Sequence, residues 1–522
     1  MTVSHEELEI VRDALACGAA RCGGPLSGAE VALIGRLQPA RGRAGRSIRA
    51  AIRDGADPLG ERLCAARSRA QRRALGAFYT PPAIVNAIVD WALEQRPSRL
   101  VDAGCGSGRF AVAVAERNRR LPLLAVDLDP IATLTTRAAL AAVGAANARV
   151  LTGNYLFAAI PRVAGRTAFV GNPPYVRHHE LTPAIKARAR MLATGIGTTI
   201  SGLSGMHVLF YLATLALHAK RGDVGSFVTS AEWLDVRYGA FLREVFAGEL
   251  GGRALVAFDS RTAPFADAMT TAAITAFRVG GASPFVTLSN VGDGGSISLS
   301  RGRRCERTAL AAAPRWSALV RGVDVTDAAA RIGTLFRVSR GQVTGANDFF
   351  VMTKALAAAR GILAHCIPLV ASAREVISGD GVVRDAPQRL VGLQVASEAD
   401  LFADDALGCY IRAGEAAQIH CGYIASRRRP WYALVFPRPP IVGTYMARSA
   451  PCFARNPDGL GLLNVVHGLY PRRPLDEPTL ERVVATLNDR RASFVGRGRT
   501  YHGGLEKFEP REMESLPLDL SQ

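Results

Sequence analysis

The chain has 522 residues, 48% of them apolar and 21% charged, which excludes disorder throughout and leaves room for two or three domains with cores of their own. Lys and Arg outnumber Asp and Glu by 64 to 45, a formal net charge of +19, and an excess of this sign points to a polyanionic partner. Nine scattered cysteines without a CxxC pair argue against a disulfide framework or a zinc-ligand pattern, and no apolar run is long enough to span a bilayer; the expectation is a reduced, cytoplasmic protein with no bound metal and no membrane partner.

Residues 1–75 read as helices and become strongly basic, with eleven arginines from Arg36 to Arg73. They fit either a solvated helical face or an arm that contacts phosphates. From 76 to 285 short apolar runs alternate with helical segments such as IVNAIVDWALEQ and HVLFYLATLALHAK, the pattern of βαβ units and a parallel sheet. Candidate strands lie at 99–104, 123–128, 148–153, 167–172, 225–230, 254–259 and 270–277. A Gly/Ser-rich stretch over 281–304 suggests a boundary, and 286–522 reads as a second, mixed domain with Arg-Pro and aromatic clusters.

Three segments carry chemistry. VDAGCGSGRF (101–110) ends a strand at Asp102 and leads through Gly104, Gly106 and Gly108 into a helix, so the backbone can turn tightly and approach a ligand at the carboxyl end of the strand. LLAVDLDP (123–130) ends the next strand at Asp127, whose carboxylate can accept both hydroxyls of a ribose, while Asp129 reads as the cap of the following helix. Together they predict an adenosine-type cofactor without fixing the reaction.

FVGNPPYVR (169–177) defines the reaction. An amine on an aromatic ring is a poor nucleophile because its lone pair is delocalised. Acceptors on its two N–H bonds, the Asn172 side-chain oxygen and the Pro173 carbonyl, can localise that pair. Pro173 and Pro174 fix the turn that aims them, and Tyr175 offers a face for stacking.

In this order along the chain, the segments resemble the N6-adenine DNA methyltransferases of the gamma class, whose structural type is the TaqI enzyme. GAFYTPPAIV (76–85) resembles the motif on the S-adenosylmethionine (SAM) side that precedes the glycine loop, and PFADAMTTAAITAF (264–277) the motif with a second stacking aromatic. RGQVTGANDFF (340–350), RRRPWYALVFPRPP (427–440) and later segments resemble the target-recognition region of TaqI-like relatives.

The resemblance implies an α/β, Rossmann-like class I SAM-dependent methyltransferase domain with a mostly parallel seven-stranded sheet over 76–285. A basic helical extension over 1–75 precedes it, and a mixed α+β target-recognition, DNA-binding domain over 286–522 follows. It implies cofactor contacts at Thr80, Asp102, Gly104, Gly106, Gly108, Asp127, Asn154 and Tyr155, catalysis at Asn172, Pro173, Pro174 and Tyr175, and a flipped adenine between Tyr175 and Phe265. Asn154 stands where the family often has Asp, which predicts weaker SAM binding. Arg177, Arg428 and Trp431 are the expected DNA contacts. The implied partner is double-stranded DNA, bound by a monomer, with cleavage left to a separate restriction endonuclease or defence-system protein. Methylation of RNA or of a protein glutamine amide, and a non-catalytic DNA-binding subunit on the same scaffold, are the alternatives.

Overall fold

The computed structural model describes residues 3–37, 45–68, 70–72, 76, 80–259, 271–281, 283–292, 295–313, 315–322, 330–395, 405–448, 450–501 and 505–520. The chain divides into two compact units, Met1–Val323 and Asp324–Gln522.

The first unit is built on one sheet. All seven expected strands form: β1 (Arg99–Ala103), β2 (Leu123–Asp127), β3 (Ala148–Thr152), β4 (Thr167–Gly171), β5 (Val224–Ser230), β6 (Gly252–Phe258) and β7 (Ala272–Arg278). Two more, β8 (Phe285–Val291) and β9 (Arg303–Glu306), extend it to nine strands in the order β3-β2-β1-β4-β5-β7-β6-β8-β9. The pairs from β3 through β5 are parallel, and β7 runs antiparallel between β5 and β6.

Alternation along the strands feeds two cores. Leu100, Ala168 and Val170 face one side with the helices Pro82–Glu94 and Arg109–Arg117, while Val101 and Phe169 face the other with Met206–Ala213 and Ala240–Ala247. Strand order reverses between β1 and β4, so a crevice opens beyond their carboxyl ends, the place where open α/β sheets bind ligands.

Two expected boundaries move. The Gly/Ser-rich stretch near 281–304 does not divide the units; β8 pairs parallel with β6 and carries β9 at the sheet edge, so the first unit runs to Val323 rather than 285. Nor is 1–75 a separate extension. Helices α1 (His5–Ala16), α2 (Gly28–Ile34), α3 (Gly45–Arg53) and α4 (Pro58–Ala66) belong to the first unit, and their apolar residues Ile10, Val11, Ile48 and Leu59 join its core.

They cover the helix Pro130–Ala142, which is buried nearly all round because sheet and helices enclose it. Arg137 on that helix is 1% exposed and pairs with Glu30 of α2 at 2.7 Å. It also donates to the carbonyls of Cys22, Gly24, Pro25 and Val150 at 2.7–3.0 Å.

The second unit is mixed α+β, as expected. Strands Phe336–Arg340, Val466–Pro471, Ile441–Thr444 and Phe453–Arg455 form an antiparallel sheet, and a second four-stranded sheet contains Cys366–Val370 and Leu390–Leu393. The helix Glu477–Asp489 packs its apolar face, Leu480, Val483 and Leu487, into the core beside the first sheet.

Candidate active site

β1 ends at Ala103, and residues 104–108 turn into the helix Arg109–Arg117. Gly106 and Gly108 have φ of 56° and 91°, a region L side chains avoid. Space beyond Gly106 is open, whereas a Cβ on Gly108 would meet Thr136 at 3.1 Å; one glycine leaves room for a ligand and the other lets a helix pack closely.

Asp102 is fully buried beneath this loop, where its Oδ2 accepts the Ala111 N–H at 3.1 Å. Burial pushes its carboxyl up to about 8, against that hydrogen bond. Its role in the structure is to tie the strand to the helix, and it does not line the crevice.

Asp127 at the end of β2 accepts the Gly106 N–H on Oδ2 and the Asp129 N–H on Oδ1, both at 2.9 Å. Burial raises its carboxyl to about 6, opposed by those amide bonds. Asp129 caps the next helix through the Ile131 N–H at 2.9 Å, as its position in the sequence predicts.

β4 delivers the Asn-Pro-Pro-Tyr turn. The Asn172 side-chain NH₂ donates to Thr80 Oγ1 at 3.0 Å, and the Thr80 carbonyl accepts from Arg109 Nη1 at 3.2 Å. Thr80, 4% exposed, is thereby bound to the side chain expected to act on the substrate. Tyr175 is half-buried, with its ring edge-on to His207 at 6.2 Å between centroids, and its N–H meets the Gly76 carbonyl at 3.4 Å. Burial lowers the imidazole of His207 to about 4, so a neutral ring abuts Tyr175.

These segments enclose a cavity of about 290 Å³. Thr80, Gly104, Gly106, Asp127, Asn154, Tyr155, Asn172 and Pro174 of the expected set line it; Asp102, Gly108, Pro173 and Tyr175 do not. Within the lining, Asn154 Oδ1 accepts the Leu156 N–H at 3.0 Å. Tyr155 is mostly a core residue, its ring stacked on Phe210 at 4.8 Å and its hydroxyl 2.9 Å from Thr214 Oγ1.

The cavity suits an adenosyl cofactor: a carboxylate with two acceptor positions left beyond its amide bonds, an open cradle at Gly106, and a wall that includes Leu128 and Phe210.

The remaining expected residues lie elsewhere. Phe265 falls outside the described residues. Arg177 is exposed at the start of the short turn of helix His178–Glu180. In the second unit, the Arg428 guanidinium donates to the Thr344 carbonyl and lies 5.3 Å from the Phe350 ring centre. Half-buried Trp431 packs on Phe349 and Phe350, with its Nε1 on Glu415 at 3.2 Å.

What sequence reading missed is the wall from the N-terminal helices. Asp57, Gly60, Leu63, Cys64 and Arg67 also line the cavity. The only local signal was the Asp57-Pro58 helix start, which reports a cap and nothing about a ligand.

Sheet order, glycine loop and strand-end carboxylate define the class I SAM-dependent methyltransferase fold. Models of three families match: the small methyltransferase domain over residues 87–195, the Eco57I restriction-modification methylase over 146–263, and the C-terminal domain of the type II methyltransferase M.Eco57I over 307–522. The chain is 39% identical to the type II methyltransferase M.XamI of Xanthomonas campestris pv. amaranthicola, over 88% of this chain and 86% of that protein. It is 22% identical to M.AccI of Acinetobacter calcoaceticus, over 86% of each. Among solved structures, the type IIL restriction-modification enzyme MmeI in complex with DNA shares the fold, with a TM-score of 0.60 at 13% identity over 97% of this chain and 79% of that one. The chain belongs to the type II methyltransferases of restriction-modification systems.

Proposed function

We propose that this protein methylates the N6 amine of adenine at a specific site in duplex DNA, with SAM as methyl donor. The observation that carries this reading is the meeting of two segments: the Asn172–Tyr175 turn leaves β4 beside the glycine loop, where a Cβ on Gly104 would lie 3.8 Å from Pro174 Cδ and 3.9 Å from the Asn172 carbonyl. Asn172 and Pro174 line the same cavity as Asp127.

SAM held there supplies a methyl group on a positively charged sulfur. Asp127 would hold the ribose of that cofactor, and the Asn154 amide its adenine. The acceptor amine is held by the Asn172 side-chain oxygen and the Pro173 carbonyl, which localise its lone pair, while Tyr175 stacks on the ring. Thr80 keeps the Asn172 amide in one orientation. Once alkylated, the amine is acidic enough to release its proton to water, and no side-chain base is needed.

A base inside a duplex cannot reach such a turn, so the adenine is flipped out at a cost of a few kcal/mol. Binding energy to offset this comes from a basic protein, with the second unit, Asp324–Gln522, as the target-recognition domain. There the exposed Arg427 and Tyr423, with Arg428 and Trp431 beside them, form the contact surface, while Arg177 reaches phosphates near the flipped nucleotide. Phe265 is the second stacking ring. The protein acts as a monomer, and any cleavage belongs to a separate protein.

The test is transfer of labelled methyl from SAM to unmethylated DNA, to RNA and to a glutamine-bearing peptide, side by side. Label in DNA alone is expected. Label in RNA or peptide alone would replace this reading, and no label with SAM bound would favour a non-catalytic subunit.

A further inference from the structure

Helix α4 lies along the cofactor cavity and is tied at both ends to the loops that form it. At its start, Asp57 caps the helix with Oδ1 on the Gly60 N–H at 2.9 Å, and its Oδ2 takes the Ser107 hydroxyl at 2.5 Å and Arg109 Nε at 2.8 Å. Ser107 is in the glycine loop and Arg109 opens the helix behind it. Just past its end, Arg67, 7% exposed, donates from Nη1 to Asp129 at 2.6 Å and from Nε to Glu7 at 2.9 Å. The Asp129 N–H is itself bound to Asp127.

The nine residues between these ties span about 13 Å, with Gly60, Leu63 and Cys64 facing the cavity. Gly60 permits the close approach: a Cβ there would stand 2.3 Å from Asp57 Oδ2 and 2.5 Å from Ser107 Oγ. Arg67 and Arg109 are thus committed inward to carboxylates. The basic character of the N-terminal segment, read from sequence as a solvated face or a phosphate-contacting arm, serves a different purpose at Arg67.

We propose that α4 is a wall of the SAM site, with Asp57 and Arg67 as positioning residues that hold the glycine loop and the Asp127–Asp129 turn in the geometry that binds the cofactor. The inference rests on the SAM reading above. It assigns α4 to cofactor affinity.

The experiment uses the full-length protein and two variants, Gly60→Ala and Asp57→Asn. It measures SAM affinity by calorimetry, KM for SAM against kcat, DNA affinity and ligand-free melting temperature. Losing the charge-assisted bonds at the loop is expected to weaken SAM binding roughly ten- to a hundredfold. KM for SAM should rise in step, with kcat at saturating SAM and DNA affinity within about twofold.

Gly60→Ala removes no charge but sets a methyl group against Asp57 Oδ2 and Ser107 Oγ, and the melting temperature read beside SAM affinity separates this from a role in folding alone. A purely structural α4 predicts a lower melting temperature with unchanged SAM affinity, and that result in both variants overturns the proposal. So does an equal loss of SAM and DNA binding. If the unmutated protein binds no SAM, the cofactor reading itself falls and the inference with it; if it binds SAM and both variants bind it as tightly, only the inference falls.

Discussion

Replacing Asp127 with asparagine tests the cofactor site through a single atom. The carboxylate already accepts two backbone N–H groups, from Gly106 and Asp129, each at 2.9 Å. A carboxylate offers about four acceptor positions, so two remain for the hydroxyls of a ribose. Asparagine has the same shape, but one oxygen becomes an NH₂. Wherever that group points, it faces a backbone N–H of the loop and withdraws an acceptor from one hydroxyl. A hydrogen bond to a charged acceptor contributes about 1.5–3 kcal/mol. With one such bond lost and a donor turned against the loop, the expected cost is ~3 kcal/mol, about a 150-fold rise in Kd for SAM. Titration calorimetry reads this directly, with a thermal melt in parallel to show that the unit stays folded. A Kd within about threefold of the unmutated protein, in a folded variant, would refute the assignment of this cavity to the cofactor.

The same carboxyl gives a pH dependence. Burial raises it to about 6 in the free protein, so below that pH a proton must leave before both hydroxyls are accepted. SAM affinity is therefore expected to be flat above pH 6 and to fall toward about tenfold per unit below it, a slope that Asp127→Asn removes. Thr80→Val keeps the shape and deletes the acceptor for the Asn172 NH₂; we expect kcat to fall about three- to tenfold with Kd for SAM within about threefold, whereas a direct cofactor contact at Thr80 would move Kd instead. Arg137→Met leaves Glu30 buried without its countercharge, which is expected to cost about 3–5 kcal/mol and lower the melting temperature by roughly 4–7 °C. Scanning calorimetry checks it, and an unchanged melt would refute a stabilising role for the Arg137–Glu30 pair.

The sheet was legible because its strands are apolar runs punctuated by Gly and Asp, and each chemical motif sits directly behind one of them. β8 and β9 were hidden: Cys305 is the only buried residue of β9, and the Gly/Ser-rich loop between the strands reads as a linker. Asn172, Asp127, Gly104 and Gly106 could be assigned to one cavity from sequence because each sits in a turn directly behind a strand. Asp57 could not, since its partner Ser107 is 50 residues away and only packing joins them. Thr80 was found for a different contact from the one its hydroxyl makes. Trp431, an aromatic beside a run of arginines, is half-buried, and sequence alone did not reveal that one side of its ring packs against the core of its unit.

The most direct test of the central claim is the chemical identity of the methylated product. Unmethylated DNA is incubated with SAM and either the unmutated protein or Asn172→Ala, and the DNA is then digested to nucleosides for mass spectrometry. The account predicts N6-methyladenine from the unmutated protein and none from the variant, which still binds SAM. Methyl on cytosine, or equal N6-methyladenine from the Asn172→Ala protein, would contradict it.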